Sequence, residues 1–289
     1  MKGGADVKAP QAMLLSKREE PWDDDHYIFE PKIDGHRLLL TLSSGAVRLH
    51  TRHGNDVTDR YPELHSVPVS VDDIVLDGEV AYLNPATGQI EFETVMERFR
   101  LTRPERIQEG MARLPVHFYV FDILQLNGQD VRSRPLMERK QLLDQVLTNT
   151  SFFSKVMSVD GKGTNLFRHI EAMKLEGIVG KLKSSRYVGE RSKDWIKVIN
   201  YEYAEVAITG YRRDEFGWLV AHEGRPVGVV ELAVPPDHRK AFYRIAQQLV
   251  TGERKGIVYL EPMIKARVRF RNWYKSGMLR SPEFVSFVI

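Results

Sequence analysis

Lys32 sits in the stretch Glu30-Pro31-Lys32-Ile33-Asp34-Gly35-His36-Arg37, where one amine is bracketed by two carboxylates, a glycine and an arginine. That set of side chains suits a covalent nucleotide carrier, in which the lysine attacks the α-phosphate of a nucleotide. The amine must first lose a proton, and an ordinary lysine titrates near 10.4. Burial beside a bound metal and other cations would lower that value, and lysine tolerates such shifts where arginine does not. Asp34 would orient the reacting groups, Gly35 would let the backbone turn close to the nucleotide, and Arg37 would hold ribose or phosphate oxygens. Lys-x-Asp-Gly also describes a common hairpin end, and with 42 Lys and Arg in 289 residues one such lysine decides little by itself.

The elements that must position these residues are mostly short strands. Tyr27 to Glu30, Arg37 to Leu42 and Ala46 to Leu49 form a meander broken by Ser43-Ser44-Gly45, with Lys32 at a strand end. Ile74 to Leu83 and Val116 to Leu124 are further apolar strands. Each carries lone carboxylates (Asp77, Glu79, Asp122) that need a partner if buried. Helical periodicity covers Leu136 to Leu147 after Pro135, and Leu166 to Leu175 before Gly177.

Beyond Asn200 the texture changes to strands at roughly ten-residue spacing: Ala204 to Tyr211, Gly217 to Ala221, Pro226 to Val234, Ile257 to Leu260 and Ile264 to Trp273. A helix opening at Pro235-Pro236-Asp237 sets Phe242, Ile245, Ala246 and Leu249 on one face. Five strands and one helix predict an OB-fold. The fold class expected is therefore α+β, with antiparallel sheets in residues 1–199 and an OB-fold β-barrel in residues 200–289.

Composition narrows the classes. There are no cysteines, which excludes a disulfide framework, a thiol nucleophile and any Cys-ligated zinc or iron-sulfur site. No apolar run reaches about 18 residues, and Met1-Lys2-Gly3-Gly4-Ala5-Asp6 lacks the apolar centre of a signal peptide, so a soluble cytoplasmic protein is expected, with no membrane partner. The net charge is +3, yet Lys265 to Lys275 interleaves basic and aromatic residues, a pattern suited to a phosphate backbone or to the outer face of a solvated strand.

Taken in order, these pieces resemble the ATP-dependent DNA ligases, within the covalent nucleotidyltransferases that also include RNA ligases and capping enzymes. Small bacterial ligases and the ligase component of ligase D proteins resemble the chain most. The resemblance covers nearly the whole sequence and implies an adenylation domain followed by an OB-fold. It implies that Lys32 accepts AMP, that Glu30 reads the adenine amino group, that Arg37 contacts ribose and that Asp34 positions a 3′-hydroxyl. Arg52, in Thr51-Arg52-His53-Gly54-Asn55-Asp56, would contact the nucleotide or a 5′-phosphate. Glu79 would touch ribose and the metal environment, and Phe121 would stack on adenine.

Leu175-Glu176-Gly177-Ile178-Val179-Gly180-Lys181 resembles the motif whose glutamate helps bind magnesium or manganese, so Glu79 and Glu176 become the implied metal ligands. Arg191-Ser192-Lys193-Asp194-Trp195-Ile196-Lys197 resembles the next, with Lys197 on the α-phosphate and Arg191 near the same nucleotide. Ile199 stands where many relatives carry a second lysine, which leaves Lys197 alone or assisted by Lys181. Magnesium and Lys197 would then depress Lys32. Arg280, in Leu279-Arg280-Ser281-Pro282-Glu283-Phe284, would meet pyrophosphate, with Arg267, Arg269 and Arg271 as competitors.

The function implied is sealing of 5′-phosphate/3′-hydroxyl breaks in duplex DNA through lysyl-AMP and an adenylated 5′ end. ATP and a divalent cation would be cofactors and nicked DNA the partner. An end-binding protein could recruit the enzyme, a monomer would suffice, and a hinge is expected near Val198 to Tyr203. Because Lys32 comes early, no N-terminal DNA-binding domain is expected, so nick affinity should be modest and salt-dependent. An RNA ligase or capping-type enzyme is the alternative within the superfamily. An inactive OB-type nucleic-acid-binding module is the alternative of another class. An NAD-dependent ligase would normally bring a four-cysteine zinc module that this chain lacks.

Overall fold

The computed structural model describes residues 11–288, so the reading of Met1 to Asp6 lies outside the described residues. The chain divides between Ile199 and Asn200 into two compact units. In the first, the elements run β1 (Leu14–Lys17), β2 (Asp23–Pro31), β3 (His36–Ser43), β4 (Ala46–Thr51), β5 (Asp73–Ala81), α1 (Phe92–Phe99), α2 (Pro104–Arg113), β6 (His117–Leu126) and β7 (Gln129–Asp130). They continue with α3 (Leu136–Val146), β8 (Phe153–Lys155), β9 (Val159–Lys162), α4 (Gly163–Ala172), β10 (Gly177–Leu182) and β11 (Arg191–Ile199).

Two sheets result, one ordered β1-β11-β10-β2-β9 and the other β4-β3-β5-β6-β7 with β8 added beside β6. Pairing is antiparallel except for β1 with β11 and β6 with β8. Successive strand residues point to opposite faces, and here the two faces have different tasks. On β5, Ile74, Leu76 and Val80 enter the large core behind the second sheet, whereas Val75, Asp77 and Glu79 share the other face, where Val75 joins a core holding Ile28, Leu39 and Trp195. On the first sheet, Phe29, Ile178 and Val198 pack against Leu166, Phe167 and Ile170 of α4.

Two glycines permit the close approaches this layout needs. A β-carbon on Gly35 would lie 2.0 Å from the Val80 carbonyl oxygen, so the turn after Lys32 packs directly on the β5 backbone. Gly35 thus answers to β5 rather than only to a nucleotide, as the sequence had suggested. Gly177 has φ 148° and would set a β-carbon 2.1 Å from Val198 O, which makes the Glu176-Gly177 junction a glycine requirement.

The second unit holds β12 (Glu202–Arg212), β13 (Trp218–His222), β14 (Arg225–Val230), α5 (Pro236–Ala246), β15 (Val250–Arg254), β16 (Ile257–Leu260), β17 (Lys265–Phe270) and β18 (Glu283–Val288). Its seven strands form one antiparallel sheet around a core that includes Trp218, Val268, Phe270 and Phe284. Two of them, β15 and β18, go beyond the five strands expected: β15 is wholly exposed, and β18 falls where motif spacing rather than alternation had drawn attention. The α5 stripe is narrower than expected, since Phe242 and Ala246 are buried but Ile245 is 55% exposed.

Candidate functional site

A cleft of about 460 Å³ opens in the first unit, lined from one sheet by Glu30, Val179, Lys181 and Trp195 and from the other by Arg37, Glu79 and Phe121, with Lys32 in the turn between β2 and β3. Alternation explains the lining. Val179 and Lys181 on β10 stand opposite Lys197 and Trp195 on β11, so all four occupy one face. Phe121 lies at an irregularity of β6. Asp77 pairs with Asp122 and Gly78 with Val120, which leaves Phe121 as the extra residue of a β-bulge. Bulges interrupt strict alternation. Phe121 lines the cleft as alternation from Val120 requires, and the extra residue returns Ile123 to the core face with Val120.

Lys32 Nζ lies 2.6 Å from Glu176 Oε2, and the Glu176 side chain is 3% exposed. The expectation that cations would surround this amine therefore meets a carboxylate at contact distance. Glu79 is partly buried on the facing strand. Burial pushes its carboxyl up to about 7, with Asp77 and Asp34 acting in the same direction, against the pull of Lys32 and Arg37. Arg37 is immobilised: its Nε and Nη2 donate to the two oxygens of Asp77 at 2.8 and 2.5 Å, and Nη1 donates to Met13 O at 2.5 Å. Tyr187 completes the cluster by donating to Asp77 Oδ2 at 2.6 Å.

Glu30, 2% exposed, is held by two lysines. Lys181 Nζ is 2.6 Å from Oε2, and Lys140 of α3 donates to Oε1. Burial alone would raise the Glu30 carboxyl, but Lys140 and then Lys181 hold it below the usual glutamate range. Lys181 in turn is pushed down by burial, an effect Glu30 opposes. Its ammonium lies 4.3 Å from the Phe121 ring centroid and 4.1 Å from that of Trp195, so the aromatic walls also face a cation. The other lone strand carboxylate, Asp122, forms a bidentate pair with Arg139 at 2.8 Å, with both side chains fully buried.

Other residues singled out in the sequence fall elsewhere. Arg52 is exposed in the turn after β4, with Nη2 3.3 Å from His53 Nε2. Arg191 is exposed at the start of β11 and donates to Leu15 O, which places it at the rim because Leu15 lines the cleft. Asp34 lies in the Lys32 turn, and Ile199 is buried opposite Gly177. In the second unit Arg280 is 7% exposed, its carbonyl accepting from Arg271 N–H and its own N–H donating to Asn272 O, both at 3.0 Å. Of its competitors, Arg269 pairs with Glu283 at 2.7 Å, and Arg267 is exposed with its guanidinium 4.8 Å from the Tyr203 ring. Sequence reasoning passed over Asp77, Lys140 and Tyr187 as partners. Asp77 left a trace as a lone strand carboxylate, and Lys140 as the second of two adjacent cations, Arg139-Lys140, on a recognised helix.

A lysine lining a cleft between two largely antiparallel sheets, followed by a small β unit, is the architecture of a nucleotidyltransferase domain with a C-terminal OB-type domain. Residues 13–198 match the family model described as the ATP dependent DNA ligase domain. The SPbeta prophage-derived DNA ligase-like protein LigB of Bacillus subtilis is 36% identical over 280 residues, covering 95% of this chain and 97% of that protein. The multifunctional non-homologous end joining protein LigD of Mycobacterium bovis is 30% identical over 284 residues, which are 88% of this chain but only 35% of LigD. The solved ligase domain of M. tuberculosis LigD superposes with a TM-score of 0.59 at 26% identity, covering 98% of this chain and 96% of that domain. The chain belongs to the ATP-dependent DNA ligase family.

Proposed function

We propose that the cleft adenylates Lys32 and that the lysyl-AMP so formed is passed to a DNA 5′-phosphate, which a neighbouring 3′-hydroxyl then attacks to seal the strand with release of AMP. The observation that carries this reading is the Lys32 amine lining the cleft, 2.6 Å from Glu176, with Glu79, Arg37 and Phe121 on the facing sheet. Phe121 and Trp195 supply apolar walls for a base, Glu30 an acceptor, and Arg37 a fixed guanidinium for ribose or phosphate oxygens. Lys197, on the same face as Trp195, would neutralise the α-phosphate, with Arg191 at the rim. Such positioning and charge neutralisation supply most of the catalysis in phosphoryl transfer.

The donor set fits a divalent cation. Among the described residues no cluster of three or more acidic or histidine side chains forms a self-sufficient metal site. Magnesium, however, is commonly held by one or two carboxylates together with phosphate oxygens and water. Glu79 and Glu176 flank Lys32, and burial makes Glu79 resist ionisation despite the nearby Lys32 and Arg37. A cation held there would offset phosphate charge and draw the carboxylates away from the ammonium. Glu176 otherwise favours the protonated lysine, since an opposite charge stabilises the charged form.

The substrate would be a nick in duplex DNA in the bacterial cytosol, with salt-dependent affinity supported by exposed Lys265 and Arg267 on β17. An end-binding partner, as the names of the LigD relatives suggest, is part of this proposal. Incubation with magnesium and ATP or GTP labelled at the α-phosphate tests it. Denaturation-resistant label from ATP, absent in Lys32→Ala, is the expected result, and no label from ATP would refute the reading.

A further inference from the structure

Glu30 and Phe121 stand on different sheets, yet one helix braces both. On α3, Arg139 reaches Asp122, the residue after Phe121, with both side chains fully buried, and the next residue, Lys140, reaches Glu30. Lys140 is therefore behind the cleft rather than in its lining. The two oxygens of Glu30 are divided between two cations, Lys140 on Oε1 and Lys181 on Oε2. A carboxylate carries about four lone-pair positions and no donor, so capacity remains to accept from a ligand N–H. Lys181 is meanwhile constrained between the Phe121 and Trp195 rings.

We propose that Lys140 is a positioning residue that fixes Glu30 as a hydrogen-bond acceptor and thereby sets selectivity for a purine bearing a 6-amino group. The inference rests on the reading of Glu30 as the base-contacting acid. A 6-amino group donates to the carboxylate, whereas a 6-oxo group would set oxygen against oxygen. With Lys140 removed, burial acts on Glu30 against Lys181 alone, and protonation becomes easier because Lys140 is the larger of the two lowering influences. A protonated Glu30 carries an O–H that can donate to a 6-oxo group. The charged groups around Glu30 are Lys140 from α3, Lys181 from β10, Lys32 from the β2–β3 turn and, across the cleft, Arg37 and Glu79.

The test compares ATP with inosine triphosphate, which carries oxygen in place of the 6-amino group, by the rate of covalent labelling of the full chain from pH 6 to 9. A hydrogen bond to a charged group is worth about 1.5–3 kcal/mol, or roughly 10- to 100-fold. Lys140→Met should raise KM for ATP by about that factor, change the labelling rate at saturating ATP by less than about threefold, and cut the ATP/ITP preference at least about tenfold. The preference should also become pH-dependent, being weakest at low pH, and Lys140→Arg should restore it. Lys140→Gln, which removes the charge but keeps a polar side chain, should behave like Met, and melting curves report whether each variant folds. An ATP/ITP ratio within about twofold of the parent in both neutral variants would overturn the proposal. If Glu30→Gln loses the preference while those variants keep it, only Lys140's role fails. If Glu30→Gln also keeps it, the base-contact reading fails and this proposal with it, while labelling of Lys32 by ATP still stands or falls separately.

Discussion

Glu79→Gln gives the most quantitative check on the cleft electrostatics. The Glu79 carboxyl moves from an ordinary 4.5 to about 7, with burial the largest cause. A pKa raised in the folded state means that the native protein binds a proton more tightly than the unfolded chain. The associated stability is therefore present in full below about pH 4.5 and is lost as pH rises through about 7. At about 1.4 kcal/mol per tenfold change in proton affinity, the loss approaches ~3 kcal/mol. Glutamine keeps the shape and cannot ionise. The variant should match the parent near pH 4.5 and exceed it at pH 8 by up to about 3 kcal/mol, roughly 6–12 °C for a unit of this size. The assay is thermal melting of both proteins across that pH range without divalent cation, following the transition of the first unit. A difference in melting temperature that does not change with pH would show that Glu79 ionises normally and that the reasoning about its surroundings is wrong. Magnesium with ATP should narrow the gap at pH 8 by stabilising the parent, since ligands that bind only the native state shift the equilibrium toward it.

Three further outcomes follow from particular contacts. Gly35→Ala would drive a β-carbon to 2.0 Å from Val80 O, so a loss of about 1–3 kcal/mol or more is expected, together with slower labelling of Lys32; unchanged melting and labelling would contradict the packing described. Asp122→Ala leaves the Arg139 guanidinium buried and unpaired, at a cost of about 3–5 kcal/mol, readable as a drop of roughly 10 °C in the melting temperature. Glu176→Gln removes the anion beside Lys32, and labelling by ATP should fall at least about tenfold with a higher magnesium requirement, while circular dichroism stays at the parent spectrum.

Much of the cleft was legible in order and spacing, because the residues that carry covalent chemistry must be of definite types at definite strand positions. Lys32, Glu79 and Phe121 fall in or beside strands that alternation picks out, Lys181 and Trp195 came from motif spacing, and the turn at Gly35 was visible as a break. What alternation could not disclose was anything depending on an irregularity or a distant partner. The extra residue at Phe121 puts Ile123 on the same face as Val120, three positions away, and no periodic pattern announces such an insertion. Helices α1 and α2 and strand β15 were likewise passed over. The first two carry few buried residues, and the third has none.

The amino-acid sequence by itself determined the family, pointed to Lys32 as the candidate nucleophile and marked the division near Ile199, since motif order and a change of strand spacing are linear properties. Only the tertiary structure decided what each charge rests against: Glu176 on Lys32, Asp77 on Arg37, Arg139 on Asp122, and Lys140 with Lys181 on Glu30. Those partners lie between 17 (Asp122 to Arg139) and 151 (Glu30 to Lys181) residues apart along the chain. The reason is electrostatic. A buried charge is tolerable only when an opposite charge reaches it through space, and that distance is set by how two sheets and a helix pack, not by separation along the chain.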